Sequence, residues 1–68
     1  MIILSNSYRT IFVRGEDVLG IESGEKVDFL GLPLSITFRN GITKTFYYDK
    51  EDVRFAIFNK IEKETRES

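Results

Sequence analysis

Leu34-Ser35-Ile36-Thr37-Phe38-Arg39-Asn40-Gly41-Ile42-Thr43-Lys44-Thr45-Phe46-Tyr47-Tyr48 is the stretch that decides the fold. Leu34, Ile36 and Phe38 alternate with Ser35, Thr37 and Arg39, the two-residue period of a half-buried strand. The alternation resumes after Asn40-Gly41, a dipeptide suited to the left-handed backbone of a tight turn. Parity sets the loop length, because directly paired residues share a face of the sheet. A two-residue loop would pair Phe38 with Thr43 and scatter the apolar set. A loop of Arg39-Asn40-Gly41, with Gly41 left-handed, pairs Phe38 with Ile42 and Leu34 with Phe46. Phe46 and Tyr48 then join Leu34, Ile36 and Phe38 on the core face, with Lys44 the exception opposite Ile36. Tyr47, Arg39, Thr37, Thr43 and Thr45 take the outer face.

Upstream, the same parity predicts a second hairpin over 18–29. Leu19 and Ile21 lead into Glu22-Ser23-Gly24, and Val27 and Phe29 return on the same face. Leu30-Gly31-Leu32-Pro33 then serves as the connection, since Pro33 cannot donate to a ladder. Thr10 to Arg14 is a short strand followed by a turn at Arg14-Gly15-Glu16-Asp17, and Met1 to Leu4 adds an edge strand.

Downstream, Asp49 is placed to cap a helix, with Asp52 at its third position and Glu51 also at the positive end of the macrodipole. Tyr48 and Val53 are spaced as a hydrophobic staple. The helix is expected over about 50–63, leaving 64–68 as a frayed tail. Val53, Ile57 and Ile61, widened by Phe58, form its sheet-facing stripe. The expected fold is α+β: one 68-residue domain with an antiparallel sheet of four to five short strands, the hairpins 18–29 and 34–48 among them, covered by one C-terminal helix.

Composition narrows the chemistry. A chain of 68 residues has a small core, and with neither Cys nor His the usual supports of disulfide and metal are missing, which leaves self-association. Without His or Cys, the common bases, nucleophiles and metal ligands are absent too. Asp49, Glu51 and Asp52 lack the alternation and central glycine of a calcium loop and suit a helix N-terminus. The five glycines are spaced as single turn or bulge residues, with no phosphate-binding loop. No catalytic, cofactor-binding or metal-binding residue is assigned, and the chain is read as non-enzymatic.

Ten basic against eleven acidic residues, a net charge of −1, give no general attraction to nucleic acid or anionic membrane. Met1 to Leu4 is too short an apolar run for a secretory signal or a membrane span. A cytoplasmic location is expected. Lys44 with Phe46, Tyr47 and Tyr48 sets aromatics beside a cation, as in platforms that stack single-stranded nucleic acid. Parity sends Phe46 and Tyr48 inward, so Tyr47 and Arg39 alone remain for that role, which makes it the second reading.

Three residues fall out of phase with their elements. Phe55 lies off the helix stripe, suited either to fold over the sheet edge against the N-terminal strand or to join an interface. Arg54 lies between Val53 and Phe58 on the helix and is expected to project past the end of the sheet. Phe12 is out of phase with Ile11 and Val13. Aromatics and arginine are enriched at protein interfaces, so Phe55, Arg54, Tyr47, Arg39 and Phe12 are the candidate interaction residues.

The run from Leu34 to Ile61, an Asn-Gly hairpin and an aromatic-rich strand ending in Tyr48-Asp49 before a capped helix, resembles small uncharacterised sheet-plus-C-terminal-helix proteins of Gram-positive bacteria and their phages. The resemblance implies a small cytosolic or phage-encoded accessory protein and transfers no functional residues. The expected function is a protein-interaction module that binds itself, as a homodimer, or a host protein.

Overall fold

A computed structural model describes residues 1–5 and 9–67. The fold is α+β, with five strands among the described residues: β1 (Ile2–Ser5), β2 (Thr10–Val13), β3 (Val18–Ser23), β4 (Leu32–Phe38) and β5 (Thr43–Tyr48). Helix α1 (Glu51–Glu67) follows, and a 3-10 turn, Gly15–Asp17, links β2 to β3. The strands form two antiparallel sheets rather than one. β1 pairs with β2, and the second sheet has the order β3-β4-β5.

The β4–β5 hairpin has the register that parity requires. Leu34 lies opposite Phe46 and Ile36 opposite Lys44. Phe38 N–H donates to the Ile42 carbonyl (2.8 Å) and Gly41 N–H to the Phe38 carbonyl (2.9 Å), closing the three-residue loop with Gly41 at φ 90°. Leu34, Ile36, Phe46 and Tyr48 are buried.

The expected hairpin over 18–29 does not form. β3 pairs directly with β4, Ile21 opposite Ile36 and Ser23 opposite Leu34. Val27 and Phe29 sit instead in a tight loop closed by Val27 N–H to the Gly31 carbonyl (2.8 Å) and Gly31 N–H to the Val27 carbonyl (2.9 Å). Gly31 explains the difference. At φ 109° its backbone runs so close to β5 that a Cβ would lie 2.7 Å from the Tyr48 carbonyl oxygen, an approach only glycine tolerates. The turn is therefore made at 28–30, and Leu32 and Pro33 belong to β4. Pro33 sits just past the end of β3, opposite Gly24, and the Gly24 carbonyl that its missing N–H cannot reach accepts from Arg54 Nη1 instead (2.6 Å).

The β1–β2 hairpin turns Ile2, Leu4 and Val13 into the core beside Val18, Leu34, Ile36, Phe46, Tyr48 and Ile61. The alternate residues Ile3 and Phe12 form a cross-strand pair on the opposite, solvent side. Phe12 is out of phase because the hairpin needs only one of its faces for the core.

Helix α1 departs from expectation in phase and length. Its inward stripe is Arg54, Ile57, Phe58 and Ile61, while Val53 is exposed and so not stapled under Tyr48. It starts at Glu51, with Arg54 N–H donating to the Lys50 carbonyl (3.2 Å). It passes Lys63 to Glu67, where a frayed tail was expected; Ser68 lies outside the described residues. The extra turn is held by the Met1 ammonium on Glu64 Oε1 (2.6 Å) and by Thr65 Oγ1 donating to the Ile61 carbonyl (2.8 Å). Among the described residues, no helix is long and apolar enough to cross a membrane.

Candidate interaction surface

Arg54 is an internal clamp rather than a surface contact. Only 8% exposed, it donates from Nη1 to the carbonyls of Gly24 (2.6 Å) and Pro33 (3.1 Å) and from Nη2 to Glu51 Oε2 (2.6 Å). The guanidinium thus joins the start of α1 to the end of β3 and the start of β4. A buried charge is tolerable when every donor direction meets an acceptor, and backbone carbonyls supply two here.

Phe55, next in sequence, points outward and is 61% exposed. It lines a cleft of about 120 Å³ with Ser23, Glu51, Arg54 and Phe58, at the C-terminal end of β3. The geometry of β3 makes this corner unusual. Phe38, Ile36 and Leu34 direct their backbone groups toward β5, as the Phe38–Ile42 bond shows, and antiparallel ladders alternate. Thr37, Ser35 and Pro33 therefore face β3, where they meet Gly20, Glu22 and Gly24; the Gly24 N–H bond to the Pro33 carbonyl (3.3 Å) ends that series. The backbone groups of the intervening Ile21 and Ser23 point off the outer edge. No described strand pairs there. Leu19, the extra residue of a bulge between Val18 and Gly20, is exposed on the same strand.

The other edge of the sheet is managed differently. Arg9 Nη2 donates to the Thr45 carbonyl (2.6 Å), and its guanidinium carbon lies 4.5 Å from the centre of the Phe46 ring. The cation covers both an outward-facing carbonyl and the ring beneath it.

A second open region surrounds Phe12, which is 67% exposed. With Asp17, Phe38, Arg39, Asn40, Ile42 and Lys44 it borders a groove of about 450 Å³. Arg39 is fixed at this end of the molecule, its Nε donating to the Glu16 carbonyl (2.9 Å) and its N–H to the Asp17 carbonyl (2.9 Å). Tyr47 lies on the outer sheet face, opposite Pro33 and toward the other end of the strands. That face is lined by hydroxyls, with Ser35 Oγ 3.0 Å from Thr45 Oγ1 and Thr37 Oγ1 3.0 Å from Thr43 Oγ1. The structure thus separates the five candidates: Phe55 at the open edge of β3, Phe12 and Arg39 at the groove, Tyr47 on the hydroxyl face, and Arg54 inside.

Phe29 was missed. Alternation with Val27 assigned it an inward place in a strand, but its side chain is fully exposed and its backbone is left-handed, at φ 70°. A non-glycine residue in that conformation is costly, and no local pattern around Phe29 announces it.

Among the described residues, one buried side-chain polar atom lacks a partner. The Tyr48 hydroxyl has no hydrogen bond among the described residues, and desolvation raises its pKa above the ordinary tyrosine value. Its ring stacks on Phe46 with centroids 6.5 Å apart, so it is read as a packing residue. The chain matches no protein-family model, no curated protein and no solved structure.

Proposed function

We propose that this chain is a small non-enzymatic protein-interaction module, which binds a protein partner through apolar surface that its own fold leaves uncovered. The observation carrying this reading is the exposure of Phe12 and Phe55, each above 60% and each on regular secondary structure beside a complete core. Large aromatics in such positions are the side chains that dominate protein interfaces. The cytoplasmic and phage-accessory setting is part of the proposal and rests on the resemblance of the Leu34–Ile61 run. The second reading, a single-strand nucleic-acid platform, is less well supported, because Arg39 and Tyr47 lie apart with a row of hydroxyls between them.

A photoreactive phenylalanine analogue at position 55 or 12 tests the proposal. The expected result is a discrete protein adduct, with another protein or with this chain, that excess unlabelled chain competes away. Diffuse labelling at both positions, unaffected by competitor, would contradict it.

A further inference from the structure

Resting on the interaction reading, we propose that the partner at the open edge of β3 is a second copy of this chain, paired antiparallel about a two-fold axis at Ile21. The backbone groups free to pair are those of Ile21 and Ser23, with the bulged Leu19 two residues before Ile21. A two-fold axis through Ile21 opposes Ile21 to itself, Leu19 to Ser23 and Gly20 to Glu22. This register matches the outward-facing groups of Ile21 with those of Ile21 on the other copy, sets Ser23 opposite the bulged Leu19, and joins the two three-stranded sheets into one.

The edge is self-complementary in charge and shape. Glu22 is the one charged side chain of β3, and in this register it meets glycine rather than its own copy, so no like charges face each other. Leu19 of each copy comes beside Ser23 of the other, at the cleft bordered by Phe55 and Phe58. Ile21, half-buried against the core, meets its counterpart at the axis. Neighbouring copies would thus cover apolar groups left open in one. Natural edge strands are commonly guarded by lysine, proline or an inward charge. β3 has no lysine or proline, and its bulge lies at Leu19, before the Ile21–Ser23 stretch, whereas the edge of β5 is covered by Arg9. A chain this small, with neither disulfide nor metal ligand of the usual kinds, also gains support from such pairing.

Cysteine trapping tests the register. Gly20 and Glu22 of the opposing copy form a non-hydrogen-bonded pair, the kind in which Cα atoms approach to about 4.5 Å. A Cβ at Gly20 meets nothing within 4 Å, and the natural chain has no cysteine to interfere. Oxidised G20C/E22C is expected to become a covalent dimer, while G20C and E22C alone stay uncrosslinked under the same conditions. Equal crosslinking of single and double variants, or none in either, would overturn the register. Should the double variant not fold, the mass of the native chain in solution decides. A dimer that Ile21→Lys converts to monomer supports the proposal, since the lysine stem still covers the core while like charges meet at the axis. A native chain that stays monomeric as its concentration rises, or a dimer unaffected by Ile21→Lys, overturns it. A monomer that still gives a competed adduct with another protein would defeat this proposal and leave the interaction reading in place.

Discussion

Arg54 Nη1 stands 2.6 Å from the carbonyl oxygen of Gly24, thirty positions away in sequence. The contact makes a charged residue part of the helix's inner face and fixes where α1 begins relative to the end of β3. Because the open edge and Phe55 flank this clamp, it positions the proposed interface without being exposed in it.

Arg54→Ala is expected to lower stability by about 2–3 kcal/mol, since truncation leaves the Gly24 and Pro33 carbonyls without the charged donor that satisfies them. Arg54→Met, which keeps the stem, should lose nearly as much, and Arg54→Lys less, because one ammonium can still reach a carbonyl. Urea unfolding measures all three. An Arg54→Met variant as stable as the native chain would show that the stem, and not the hydrogen bonds, carries the effect.

Tyr48→Phe is expected to stabilise the fold by about 1 kcal/mol, as it removes a desolvated hydroxyl while keeping the ring stacked on Phe46. The pH dependence has a definite sign. Burial raises the folded-state pKa, so the neutral phenol's contribution is complete below the unfolded value of about 10 and is lost as pH rises through the folded value. Thermal melts above that pH should fall more steeply for the native chain than for Tyr48→Phe. Parallel curves for the two would contradict this account of Tyr48.

Gly31→Ala should destabilise by about 2–3 kcal/mol, combining a left-handed backbone with a Cβ 2.7 Å from the Tyr48 carbonyl oxygen. Gly20→Ala, at an uncrowded strand position, should instead gain about 0.5 kcal/mol. Phe29→Gly should also gain, by about 1 kcal/mol, by relieving a left-handed phenylalanine whose side chain is fully exposed. Denaturant midpoints for the three variants check the order, and equal losses at Gly31 and Gly20 would contradict it.

What could be read from sequence divides along physical lines. The β4–β5 hairpin was legible because parity admits one loop that keeps Leu34, Phe38, Ile42 and Phe46 together. Upstream, the same parity was satisfied by a hairpin that does not form. The deciding contact, Gly31 against the Tyr48 carbonyl, joins residues far apart in sequence and leaves no periodic trace. Arg54 was misplaced for a related reason, since its acceptors are carbonyls supplied by the turn after β3 and by β4. The division into two sheets was equally hidden: alternation in β1 and β2 sets which residues face inward, not which strands are neighbours. Of the candidate site, Phe12 and Phe55 were legible as residues out of phase, whereas the open edge of β3 emerged only with the pairing of β3 to β4.

Amide hydrogen exchange at Ile21 and Ser23 tests the central claim most directly, because these N–H groups point off the edge of β3 while those of Gly20 and Glu22 face β4. With rising protein concentration, the account predicts that exchange at Ile21 and Ser23 slows markedly while Gly20 and Glu22 stay protected throughout. Exchange at Ile21 and Ser23 that remains fast and independent of concentration would contradict it.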